Sequence, residues 1–139
     1  INYSNLVMAA WGTYITRITG RSEACAAVKR IAFVDCSSGA FLSHTDEFIA
    51  SADELAALVK CFDNLDQVPS TGVILERIHF QATTTTEGLI YGLKGRTAFF
   101  ANKTKTAVLV AIYEVDTTDE SEVRTAVEQL ANYVMSIGG

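Results

Sequence analysis

Proline is nearly absent, with a single residue, and only 19% of the 139 residues are charged while 49% are apolar. That composition excludes a disordered or linker-rich chain and matches one ordered domain with a sizeable core. No apolar run approaches the roughly 18 residues a membrane helix needs. Residues 1–10 also lack the basic start and cleavage pattern of a signal peptide, so the expected compartment is the cytoplasm. Cysteine is scarce as well. Cys25, Cys36 and Cys61 are odd in number and widely spaced, which suggests neither a disulfide framework nor a Cys-x-x-Cys metal or redox site. They are expected to be reduced, partly buried thiols.

Basic residues are outnumbered, 11 against 16 acids, for a net charge of −5. Nucleic acid and anionic membrane are therefore poor candidates for the principal partner, because both draw on positive surface. Two loose basic groups remain, Arg17, Arg21, Lys29 and Arg30, then Lys94, Arg96, Lys103 and Lys105. By composition alone they read as solvated charges at loops and strand ends.

Motifs for chemistry are missing too. There is no Gly-x-Ser-x-Gly, and nothing local pairs a cysteine with His44 or His79. Neither phosphate-binding glycine pattern occurs, and Gly92-Leu93-Lys94-Gly95 sits between strands, where it reads as a turn. The acidic pairs Asp46-Glu47, Asp53-Glu54 and Asp119-Glu120 lack metal-site spacing and mostly suit helix starts, whose dipole favours acids. A binding protein is expected rather than an enzyme, without cofactor or metal.

What the chain does contain is periodicity. Val7, Trp11, Tyr14 and Ile18 recur at helical offsets, predicting a first helix over 5–18 that Gly20 ends. Ile31–Val34 and Ala40–Leu42 read as a β-hairpin. Ser51 and Glu54 form a capping-box signature ahead of a helix with Leu55, Leu58, Val59 and Phe62 on its buried face. The stretch Asp63–Thr71, holding the proline, reads as the main loop. Strands follow at 73–80, 88–93, 97–101 and 107–113, joined by connections short enough to make them antiparallel. A last helix starts near Asp119, with Val123, Val127, Leu130, Val134 and Ile137 as its core stripe. The order α-β-β-α-β-β-β-β-α predicts an α+β single domain, a central antiparallel sheet flanked by N- and C-terminal helices and a further helix. On the last helix Tyr133 falls on one flank of the stripe, Arg124 and Glu128 on the other.

Several segments, in order, resemble profilins. Ala10-Trp11-Gly12-Thr13-Tyr14-Ile15 carries a Trp-x-x-Tyr-Ile pattern similar to the start of that family. Ile90-Tyr91-Gly92-Leu93-Lys94-Gly95 resembles its Ile-Tyr-Gly-Lys-Lys-Gly turn, and Asn102-Lys103-Thr104 its Lys-Thr strand start. Val108–Tyr113 and Val127–Tyr133 resemble its Leu-Val-x-x-Tyr strand and Val-Glu-Lys-Leu-Ala-Asp-Tyr terminal helix. On this reading residues 9–139 form a profilin-like domain and residues 1–8 an N-terminal extension or helix lead-in.

The resemblance implies a monomeric cytoplasmic and cytoskeletal protein that binds monomeric actin and grips proline-rich segments of proteins such as formins. Phosphoinositides are implied as a competing ligand. Polyproline II helices expose ridged rings and unpaired carbonyls, so their receptors need flat aromatics with Trp N–H or Tyr O–H donors. The matching positions are Trp11, Tyr14, Phe41 and Tyr133. Phe41 stands where the family usually has a second Trp, and Gly139 where it has a C-terminal aromatic; neither supplies a donor. Lys94, Arg96, Arg124 and Glu128 match or adjoin the family's actin-contacting positions. Leu93 departs from the Lys-Lys-Gly turn, and Thr84 stands about where an Arg is common. The competing reading is a roadblock-like or longin-like dimeric interaction module, with the terminal-helix aromatics buried between subunits.

Overall fold

The computed structural model describes residues 30–45, 48–86, 88–115 and 120–136. The expected first helix with Trp11 and Tyr14 lies outside the described residues, as do Cys25, Asp119, Ile137 and Gly139.

Strands β1 (Arg30–Asp35) and β2 (Phe41–His44) form the expected hairpin. Asp35 organises its turn, because one carboxylate oxygen accepts from Ser37 N–H at 2.7 Å, Ser37 O–H at 2.6 Å and Ser38 N–H at 3.1 Å. Those donors, the Ser37 hydroxyl foremost, hold the Asp35 carboxyl below its ordinary pKa. Helix α1 (Ala52–Cys61) begins at the capping box: Glu54 N–H donates to Ser51 Oγ at 3.2 Å and Ser51 N–H donates to Glu54 Oε1 at 2.9 Å.

The segment read as the main loop is more ordered than expected. It holds a 3-10 turn, Leu65–Gln67, and a one-turn helix α2 (Val68–Thr71) with Pro69 in its first turn, where no intrahelical N–H is lost. The run 73–80 is not one strand. It is β3 (Val73–Leu75) and the start of β4 (Ile78–Thr86), joined by Glu76 and Arg77 at φ 53° and 65°. The remaining strands are β5 (Leu89–Lys94), β6 (Thr97–Lys103) and β7 (Ala107–Glu114), before helix α3 (Glu120–Ser136).

The seven strands form one antiparallel sheet in the order β2-β1-β7-β6-β5-β4-β3. Every side chain of β7 through Tyr113 is buried, since both faces of the sheet are covered. One face, with Ile31, Phe33, Phe100, Leu109 and Tyr113, packs against Val123, Val127, Leu130 and Val134 of α3. The other, with Val34, Phe80, Phe99, Val110 and Ile112, packs against Leu55 and Leu58 of α1 and Val68 of α2. Each such large side chain removed from water contributes about 1.5–3 kcal/mol. Gly92 is required where it stands, because a Cβ there would collide with the ring of Phe99 on β6.

Candidate functional site

Helix α3 covers one sheet face along its apolar stripe, which leaves two flanks. Arg124 and Glu128 share one of them, their Nε and Oε1 atoms 3.1 Å apart with both side chains about half exposed. With Asn132 and Met135 they border a cleft of about 670 Å³ completed by Asn102 and Lys103 at the end of β6. Tyr133 is 40% exposed. At about 100° per residue it lies roughly 180° around the helix from Arg124. One helix therefore presents a charged flank and an aromatic flank.

Lys94 and Arg96 lie elsewhere. Lys94 ends β5 and borders a second cavity, of about 540 Å³, beside Ser70, Thr71 and His79. Arg96 occupies the β5–β6 turn, where its carbonyl accepts from Val115 N–H at 2.8 Å. The Arg124 cleft includes Leu89, the opposite end of β5. At about 3.3 Å per residue the two ends of β5 are roughly 17 Å apart. The four charges thus form two pairs, a spread that one standard interface of about 800 Å² per partner spans.

Phe41 departs from the arrangement expected for it. Between β1 and β2 the pairing shifts from Phe33↔Ser43 to Val34↔Phe41, leaving Leu42 as the extra residue of a bulge. Phe41 consequently shares the α1 face with Val34, its ring 5.7 Å from Phe48 in an edge contact and 4.4 Å from His44. Leu42, not Phe41, packs against the core beneath α3. The structure therefore does not bring Phe41 beside Tyr133. Trp11 and Tyr14 lie outside the described residues.

The cleft residues Asn102, Lys103, Asn132 and Met135 were not singled out from the sequence. Asn132 and Met135 continue the spacing of Arg124 and Glu128 along one flank, so helical periodicity carries that signal. Asn102 and Lys103 needed the register of β6 against its neighbours. Thr104, beside them, is buried and ties off the strand, its hydroxyl donating to Ala107 O at 3.0 Å.

Among the described residues no group of three His, Cys, Asp or Glu is placed to hold a metal ion. His79 Nε2 lies 3.1 Å from Thr71 O and His44 Nδ1 2.8 Å from Thr45 O, each ring nitrogen on a backbone carbonyl. Burial pushes the Cys36 thiol up, with Asp35 and Asp63 adding to the shift and Lys103 opposing it; burial alone raises Cys61. Such thiols are poor nucleophiles. Among the described residues, no helix is long and apolar enough to cross a membrane.

Comparison with known proteins places this geometry. The profilin family model matches residues 9–139. Profilin-1 of Caenorhabditis elegans is 38% identical, over 94% of this chain and 99% of its own length. The structure of Schizosaccharomyces pombe profilin superposes with a TM-score of 0.83 at 25% identity, covering 93% of this chain and 99% of that one. A complex of LokiProfilin2 with rabbit actin shares the fold, with a TM-score of 0.74 over 91% of this chain and 96% of that chain at 13% identity.

Proposed function

Because the chain belongs to the profilin family, we propose that it binds monomeric actin and proline-rich segments of actin-assembly factors on separate surfaces, and so regulates actin polymerisation. The family is one of actin-binding proteins and not of enzymes. The observation that carries the two-surface reading is the division of α3, with Arg124 and Glu128 on one flank and Tyr133 about 180° from the first and about 140° from the second.

In this reading Arg124, Glu128, Lys94 and Arg96 meet actin. Charges at such positions steer encounter and fix register, while neighbouring apolar contacts supply most of the affinity. Tyr133, with Trp11 and Tyr14, takes the proline-rich segments of proteins such as formins, offering ring faces and hydroxyl or indole donors. Phe41 is assigned a packing role beside Phe48, in keeping with its place on the other sheet face. Phosphoinositides are the competing ligand, drawn to the Lys94 and Arg96 corner and limited by the net charge of −5. The cytoskeleton is the corresponding location. The family match across residues 9–139 disfavours the dimeric-module reading.

Assembly of pyrene-labelled actin tests the function directly. Added protein is expected to slow spontaneous nucleation in proportion to the monomer it holds; assembly unchanged at a large molar excess contradicts the proposal.

A further inference from the structure

We propose that the groove between α1 and the outer edge of β3 docks an extended segment of a partner protein that carries an apolar residue and, two positions away on the same face, a lysine or arginine. This groove is a separate concavity from the cavity that Lys94 borders, which it adjoins at Thr71 and Gly72. The groove holds about 300 Å³ and is lined by Ala57, Leu58 and Cys61 of α1 and by Val73 and Ile74 of β3, with Asp53 and Glu54 at one end. Strand β3 is the last in the sheet and pairs, among the described residues, with β4 alone. The hairpin closes at Leu75↔Ile78 with Ile74↔His79 next. In an antiparallel ladder closed by a two-residue turn, the closing pair exchanges hydrogen bonds and the next pair does not. The N–H and C=O of Ile74 therefore point outward, away from β4.

Three features select the occupant. The outward backbone pair of Ile74 suits strand addition, in which an extended peptide takes main-chain hydrogen bonds from a sheet edge and sends alternate side chains into pockets. The groove floor is apolar, and Ile74 itself is 51% exposed, as is Ile49 at 73% near the same corner, where Ile49 N–H donates to Glu76 at 2.9 Å. The charged lining residues are both acidic. Glu54 is committed to backbone donors at Ser51, Glu76 and Arg77, which leaves Asp53 to face a lysine or arginine of the incoming strand. A second copy of this chain fits poorly, since its own edge, Val73-Ile74-Leu75, has no lysine or arginine to meet Asp53 and each protein carries −5. The edge is short, as natural edges are when they avoid indiscriminate pairing, so the groove and the charge supply the selectivity.

The test is amide-shift mapping of the ¹⁵N-labelled chain with an acetylated Ser-Val-Ser-Lys-Ser-Val-Ser peptide, whose valines and lysine share one face. Saturable shifts are expected at Ala57, Cys61 and Ile74, with the counterpart peptide carrying Glu in place of the Lys binding at least about tenfold more weakly. Ile74→Pro removes the outward N–H without touching a ladder bond and is expected to abolish binding, since proline is accepted at an edge whose N–H faces solvent. Ala57→Arg, at an exposed helix position, blocks the groove and is expected to do the same should the proline variant fail to fold. Equal binding of the two peptides, wild-type affinity in either folded variant, shifts located away from the groove, or no saturable shift overturns the proposal. Concentration-dependent shifts of the same amides without peptide overturn it in favour of self-pairing.

Discussion

The guanidinium of Arg30 lies 2.6 Å from the carboxylate of Glu76, a side chain only 2% exposed and 46 positions away in sequence. Arg30 reaches Glu114 at 2.9 Å with its other terminal nitrogen, so one residue at the start of β1 ties the β3–β4 turn to the end of β7. Removing the cation leaves Glu76 buried with the Ile49 N–H as its remaining donor among the described residues. Arg30→Met is expected to cost about 2–3 kcal/mol, below the usual loss for a fully buried pair because Arg30 is partly exposed. Urea unfolding checks it: a lower midpoint at unchanged slope is expected. A midpoint equal to wild type would show that the pair contributes nothing net.

Arg77 adopts a left-handed conformation, φ 65°, beside Glu76 at 53°, in a two-residue hairpin turn where Gly or Asn is the ordinary choice. Its side chain is exposed, and the backbone N–H donates to Glu54 at 2.8 Å, a bond any residue but proline keeps. Arg77→Gly relieves the Cβ clash and is expected to stabilise the fold by about 0.5–1 kcal/mol after the added freedom of the unfolded glycine is counted. Thermal unfolding should show Tm rising by a few degrees; a fall would place the turn's stability in the arginine side chain.

Glu54 holds three backbone donors, Ser51, Glu76 and Arg77 N–H, at 2.8–3.0 Å. Burial alone would raise its pKa, but these hydrogen bonds together hold it below the ordinary glutamate value. A carboxyl depressed on folding contributes stability that is fully present above its unfolded value, about 4.3, and is lost as pH falls through the lower folded value. The stability difference between wild type and Glu54→Gln is therefore expected to be greatest near neutrality and to shrink below about pH 4.3. A difference that grows on acidification contradicts this sign.

Much of this fold was legible before the structure. The unbroken apolar run of β7, the Ser51–Glu54 cap and the stripe of α3 each carry a signal that a single physical requirement imposes: burial on two faces, an orphan donor at a helix start, a period of 3.6. The hairpin at Glu76-Arg77 was not legible, because its turn is held by Glu54 from 22 and 23 positions away and not by local glycine or asparagine. For the same reason 73–80 read as one strand and the sheet as six-stranded. The bulge at Leu42 left no mark either, and a one-residue shift sends a side chain to the opposite face. That shift separates Phe41 from the aromatic flank. The opposition of Tyr133 to Arg124 and Glu128, by contrast, follows from helical geometry and needed no tertiary contact.

That opposition predicts separable functions. Tyr133→Ala is expected to weaken binding to a polyproline peptide by about 1–2 kcal/mol, a five- to thirtyfold rise in Kd, as truncation of an aromatic contact does. Actin binding by the same variant should be unchanged. Fluorescence titration with a proline decamer provides the check, and equal affinity for wild type and variant would remove Tyr133 from the site.

The most direct measurement is an equilibrium titration of fluorescently labelled monomeric actin with the wild-type chain and with Lys94→Glu/Arg124→Glu. Saturable one-to-one binding by wild type and its loss in the folded double variant, with polyproline affinity retained, is the predicted result. Absence of binding by the wild type would contradict the actin function itself, and equal binding by the two proteins would move the interface away from the Arg124 flank and the Lys94 corner.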